Sequence, residues 1–187
     1  MTISTAGSEQ AGSIRWTAVC TVLAVCGVVG SLWLSLGMNL KACPLCLYQR
    51  AFMASAAAVL LTGLLTDLRR STILPLLALP AVFAGLGVAG FHEYLEMTGK
   101  LECPAGLFGV GSAPQQSVAT FLILAAALLF SFVRAGNSAK PGQVAFAAVL
   151  GVMIAFGTIK SAPPMPAAPT KPYDQPLEIC RPPYQPT

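Results

Sequence analysis

The stretch WTAVCTVLAVCGVVGSLWLSL, Trp16 to Leu36, runs for 21 positions without a charged side chain. As a helix rising 1.5 Å per residue it is about 31 Å long, the thickness of bilayer hydrocarbon. Four more uncharged runs follow, at Ala51–Thr66, Ile73–Phe91, Ser117–Val133 and Gln143–Ile159. The Ala51–Thr66 run is short alone and becomes long enough if its helix starts near Pro44. The Ile73–Phe91 run carries Pro75, Pro80, Gly85, Gly87 and Gly90, which membrane helices tolerate when neighbours re-satisfy the backbone. The last run, between Lys140 and Lys160, is about 25 Å long and barely sufficient. The pattern predicts an all-α membrane protein, a four-helix transmembrane bundle plus a fifth transmembrane helix.

Composition agrees. Of 187 residues, 55% are hydrophobic and 10% charged, and the mean hydropathy is +0.70. An average soluble domain is about 25% charged, so this chain cannot clothe a water-facing surface and a soluble enzyme is excluded. Disorder requires the opposite balance of hydrophobicity and charge. A scattered net charge of +4 gives no footprint for nucleic acid.

Residues 1–13 read as a cytoplasmic tail. Only Arg15 precedes the first apolar run, and no clear small-residue cleavage site follows it, so a retained helix is expected rather than a signal peptide. With the N-terminus inside, Arg15, Arg69, Arg70, Arg134 and Lys140 are cytoplasmic, and Lys41, Lys100, Lys160, Lys171 and Arg181 lie outside. The raw count is nearly balanced. The short turn Asp67-Leu68-Arg69-Arg70 is of the basic kind that sets orientation. Residues 161–187 hold nine of the 15 prolines, so residues 160–187 are expected to form an extended, Pro-rich exoplasmic tail.

The cysteines sort by side. Cys20 and Cys26 fall inside the first span and read as small packing residues. Cys43, Cys46, Cys103 and Cys180 all fall outside if there are five spans, where disulfides persist. Lys41-Ala-Cys43-Pro-Leu-Cys46-Leu-Tyr-Gln-Arg50 puts a CxxC at a helix mouth, where unpaired N–H groups and the helix dipole favour thiolate, the attacking species. Cys46 and Arg50 are four apart, and Cys43 and Arg50 seven, so the three share one helical stripe. A cation at that depth is costly unless it snorkels or serves a function, one use being to stabilise a thiolate or a reduced anionic cofactor.

These residues resemble the DsbB family, the bacterial disulfide bond formation protein B. That family carries a periplasmic CxxC at the start of its second membrane helix, then an aromatic-containing stretch and an Arg, here Cys43-Pro-Leu-Cys46-Leu-Tyr48-Gln-Arg50. The resemblance covers about residues 14–134, with a periplasmic loop at 92–116. His92 and Cys103 match, in order, a family His near the quinone and a loop redox cysteine. The resemblance implies an inner-membrane thiol:quinone oxidoreductase that reoxidises a periplasmic, thioredoxin-fold DsbA-like protein. Electrons would pass through Cys43–Cys46 to ubiquinone or menaquinone. It implies further that Cys46 lies nearest the quinone, that Cys43 exchanges with the loop pair, and that Arg50 orients or charge-stabilises the quinone. His92 is a candidate hydrogen-bond donor to a quinone oxygen, and Met97, Leu101, Leu107 and Phe108 are candidates for laying the loop on the membrane.

The chain departs from the family in one respect that matters. Its loop holds a single cysteine where the family has two, and an added span and tail follow. Cys180 is then the remaining exoplasmic partner, and topology alone leads to the expectation of a Cys103–Cys180 disulfide joining loop to tail. Three other readings stay open. Vitamin K epoxide reductase-like proteins share the small bundle, the CxxC and the quinone, although their CxxC lies on the final helix. A non-enzymatic metal-binding protein would use Cys43, Cys46, Cys103 and His92 as ligands, against which Arg50 on the same stripe would repel a cation. A purely structural membrane subunit leaves the sorting of the cysteines without a reason.

Overall fold

The computed structural model describes residues 5–66, 73–134, 141–164 and 166–185, with side chains described from Arg15 onward and not at Arg134. Five helices follow in order: α1 (Thr5–Leu36), α2 (Pro44–Leu65), α3 (Leu74–Met97), α4 (Ala113–Arg134) and α5 (Pro141–Ser161). A single 3-10 turn, Leu107–Gly109, interrupts the α3–α4 loop. Each of the five contains a segment long and apolar enough to span a bilayer, beginning at Arg15 in α1. The molecule is an all-α, multi-pass membrane protein.

Local chemistry sets the helix starts. Pro44 occupies the first turn of α2 and Pro75 that of α3, positions where a missing N–H costs nothing. In the bundle, α1 packs on α2 and α4, while α3 packs on α2 and α4, closing a ring of four. Its centre is built largely from small and medium side chains: Cys20 and Ala24 of α1, Ala56 and Leu60 of α2, Ala78 and Val82 of α3, Leu124 and Leu128 of α4. Without a hydrophobic drive between helices in lipid, close packing of this kind holds them together. Phe121 of α4 sits against Gly85 of α3, where any Cβ would collide with its ring. Cys20 is thereby accounted for as a core residue, and Cys26 is exposed.

The fifth helix joins the bundle from outside, on α3. Gly151 permits this approach, because a Cβ there would lie 2.5 Å from Phe83 Cβ and 2.9 Å from the Pro80 carbonyl oxygen. Phe146, Val152 and Phe156 of α5 remain exposed, as lipid-facing side chains do.

Several boundaries differ from the sequence expectation. The segment read as an N-terminal tail is helical from Thr5. The third helix does not stop at Phe91. It runs to Met97 because Val88, His92 and Leu95 keep turning a buried face inward, so the loop begins at Thr98 rather than His92. The fourth helix begins at Ala113, and α5 spans Pro141–Ser161, about 31 Å at 1.5 Å per residue. The basic turn Asp67–Arg70 and Lys140 lie outside the described residues. Beyond Ser161 the described tail residues form no helix, and one isolated antiparallel bridge, Glu102 with Arg181, ties them to the loop.

Candidate functional site

The mouth of α2 is built by Cys43 itself. Cys43 is the N-cap, its backbone extended at φ −71° and ψ 165°, and its Sγ accepts from the Cys46 N–H at 3.3 Å. Cysteine here takes the place of the usual serine or aspartate cap. The Cys43 and Cys46 sulfurs lie 2.9 Å apart, Cys43 buried and Cys46 half-buried. The Cys43 thiol is held down to about 5, chiefly by the Cys46 side chain hydrogen-bonding its thiolate. Burial opposes this, and His92 adds to it.

The second pair is formed. Cys103 of the loop and Cys180 of the tail make a disulfide across 77 residues of chain, the pairing expected from topology. Backbone bonds register it: Glu102 N–H donates to Arg181 O at 2.8 Å and Arg181 N–H to Glu102 O at 3.0 Å. On the other side of Cys180, Lys41 N–H donates to Glu178 O at 2.7 Å, and the two side chains form an ion pair at 3.2 Å. The tail is thus laced to the segments that carry Cys103 and the CxxC. Cys43 Sγ, Cys46 Sγ, Cys180 Sγ and a ring nitrogen of His92 all lie within 4.8 Å of one another.

Arg50 is pinned to α1. Its Nε donates to Ser31 Oγ at 3.0 Å, and its Nη2 to Ser31 O at 2.8 Å and Ser35 Oγ at 2.7 Å. It lines a cavity of about 330 Å³ between α1, α2, α4 and the loop, together with Cys46, Cys180, Gln49 and apolar residues that include Leu34, Met53 and Phe121. Leu107 and Pro104 of the loop complete the lining. Gln116 holds this stretch, accepting from Leu107 N–H at 2.7 Å and donating to Leu107 O at 2.9 Å and Val110 O at 2.8 Å.

A sequence model of the family described as disulfide bond formation protein DsbB matches residues 13–116. The chain belongs to the DsbB family. Membership makes it an oxidoreductase of disulfide formation. Neither a curated protein nor a solved structure matches the chain at a stringent threshold. The family match ends at Gln116, short of the 134 to which the resemblance was read. In this DsbB-family protein, Cys180 therefore lies outside the matched region and reaches the site through α5 and the tail.

Two expected site residues stand differently from the rest. His92 is fully buried and is not among the residues lining the cavity; its ring faces sulfurs instead, Nε2 lying 3.4 Å from Cys103 and 3.9 Å from Cys43. Leu101, read as a membrane-surface residue, is buried against Cys43 and Leu95, whereas Met97 and Phe108 are exposed. As metal ligands, Cys103 and Cys180 are withdrawn by their disulfide, since thiolate is the ligating form. Sequence reasoning missed Ser31 and Ser35, one turn apart on α1, and Gln49, whose Nε2 lies 3.1 Å from His92 Nδ1. A serine pair at four-residue spacing inside an apolar run was the signal available for the first two.

Proposed function

We propose that the protein is an inner-membrane thiol:quinone oxidoreductase that reoxidises a periplasmic, thioredoxin-fold DsbA-like dithiol. Its electrons go through Cys43 and Cys46 to ubiquinone or menaquinone. One observation carries this reading: two cysteine pairs meet at the rim of a single cavity, with Cys46 and Cys180 both in its lining beside Arg50. The cluster belongs on the exoplasmic side, with the N-terminus of the chain inside.

The residues present fit a quinone. A cavity of about 330 Å³ falls in the range of small-molecule sites, roughly 300–1,000 Å³. Its walls are mainly apolar, and Arg50 and Gln49 give the polar end needed for a ring oxygen. When bound, a quinone supplies the two-electron acceptor that the protein lacks.

The thiol chemistry follows from placement. A partner thiolate attacks the Cys103–Cys180 disulfide, and the partner's second thiol resolves the mixed disulfide, leaving Cys103 and Cys180 reduced. Cys180 thiolate then attacks Cys43, forming Cys43–Cys180 and releasing Cys46 as thiolate at the cavity wall. Cys103 attacks Cys180, re-forming Cys103–Cys180 and releasing Cys43. Two electrons have moved from the loop–tail pair to the CxxC. Each step depends on thiolate fraction and access.

The test is oxidation of a reduced, purified DsbA-like protein with and without added quinone, under anaerobic conditions. Turnover beyond two equivalents, one for each cysteine pair, should require quinone. Multiple turnovers without it, at the same rate, would overturn the reading.

A further inference from the structure

His92 is a fully buried ring at the end of α3, with both nitrogens committed. Its Nδ1 lies 3.1 Å from the side-chain nitrogen of Gln49. An amide NH₂ can only donate, so Nδ1 accepts and the ring proton resides on Nε2. That N–H faces two sulfurs, Cys103 Sγ at 3.4 Å and Cys43 Sγ at 3.9 Å. The two sulfurs belong to different pairs. In the exchange sequence proposed above, on which this inference rests, they are the attacking and the leaving sulfur of one step.

The geometry points to His92 Nε2–H as the shared hydrogen-bond donor for the thiolate that attacks and the thiolate that leaves when the Cys103–Cys180 bond is re-formed. In that step Cys103 thiolate attacks the Cys180 sulfur of the Cys43–Cys180 disulfide. One S–S bond forms and one breaks, and the electron pair of the broken bond stays on Cys43. The charge on the three reacting sulfurs is −1 before and after, and no proton moves. Negative charge simply passes from one neighbour of Nε2 to the other. A preorganised donor at the place where charge develops lowers the barrier, more so in a buried site than in water. Gln49 holds the tautomer, and so acts through His92 as a positioning residue.

This assignment differs from a cofactor-binding role. The ring is outside the cavity lining, whereas Gln49 and Cys46 are in it. It also accounts for a buried imidazole between sulfurs.

The experiment uses the full-length protein in detergent or nanodiscs, without quinone, starting with both pairs oxidised. Reduced DsbA-like partner is added in rapid mixing, and quenched samples are alkylated and mapped by mass spectrometry. Reduction of Cys103–Cys180 and reduction of Cys43–Cys46 are thereby timed separately. His92→Phe, which has no donor, should slow transfer between the pairs by about 100-fold. His92→Gln, which restores an N–H, should recover part of the rate. Should His92→Phe fail to insert, Gln49→Met keeps the ring but removes the group fixing its tautomer, and should slow transfer several-fold. Wild-type transfer matched by all these variants would overturn the role of His92 alone. Wild-type protein in which partner electrons never reach Cys43–Cys46 would overturn the exchange sequence, and the role of His92 with it.

Discussion

Glu102 and Arg181 are 79 residues apart in the chain, yet they exchange two backbone hydrogen bonds and close an ion pair at 2.7 Å. Each stands next to a cysteine of the Cys103–Cys180 disulfide. The guanidinium of Arg181 also stacks 3.7 Å from the centre of the Tyr173 ring. The bridge brings a tail that has no core of its own into a fixed register with the loop, so the disulfide joins segments already aligned. Cys180 reaches this register only because α5 carries the chain back across the bundle along α3.

The first prediction follows from that register. Tryptic mapping of oxidised protein without reduction should yield the Cys103 and Cys180 peptides as one linked species. Cys180→Ser should lose oxidation of the partner protein while the Cys43–Cys46 pair still reacts with quinone. Labelling of Cys180 only from the cytoplasmic face would refute the pairing and the five-span topology together.

Replacing Cys43 or Cys46 by Ser should abolish quinone-dependent oxidation, at least 1,000-fold by order of magnitude, because either change removes the exchangeable disulfide. Insertion should be unaffected, since oxygen for sulfur hardly alters the packing. Full turnover by either single variant would remove the proposed redox centre.

Arg50→Ala should raise the apparent KM for quinone or lower the rate, while Cys43 and Cys46 still form their disulfide. Arg50→Lys should recover only part, because an ammonium cannot reproduce the fork that engages Ser31 and Ser35. Ser31→Ala with Ser35→Ala should act in the same direction and more weakly, by loosening the guanidinium. Unchanged quinone kinetics in Arg50→Ala would reduce Arg50 to an anchor.

The reduced protein should show a thiolate at Cys43 well below neutral pH. Its alkylation rate should titrate with a midpoint near the value of about 5 set chiefly by the Cys46 side chain. In Cys46→Ala the midpoint should climb toward the ordinary value of 9.0. The depressed thiol pKa favours the folded, reduced state fully above the unfolded value, and this contribution is lost as pH falls through about 5. A midpoint near 9 in the native reduced protein would contradict the assigned hydrogen bond.

Docking of α5 should depend on Gly151. Gly151→Leu drives side-chain atoms into Phe83 and the backbone of Pro80, an overpacking that costs about 1–3 kcal/mol. The variant should show a smaller fraction of linked Cys103–Cys180, read on a non-reducing gel after limited proteolysis. Wild-type linkage in Gly151→Leu would mean that α5 does not place the tail.

The spans, the CxxC at the mouth of the second helix and the return of Cys180 to the same end of the bundle as the CxxC were all legible in the sequence. The reason is that each depends on local quantities. Hydropathy over about 20 residues decides what enters lipid, proline at the first turn marks a helix start, and parity of spans assigns each cysteine to a side. What stayed hidden depends on which face of one helix meets another. Nothing near His92 in the chain tells that Val88 and Leu95 turn the ring toward the sulfurs of α2 and the loop instead of the cavity. Likewise Ser31 and Ser35 become partners of Arg50 only when α1 and α2 pack side by side. The cavity itself exists only as the space that α1, α2, α4 and the loop leave between them. Sequence determined which residues reach the CxxC end of the bundle, and packing between distant segments decided which atoms face one another there.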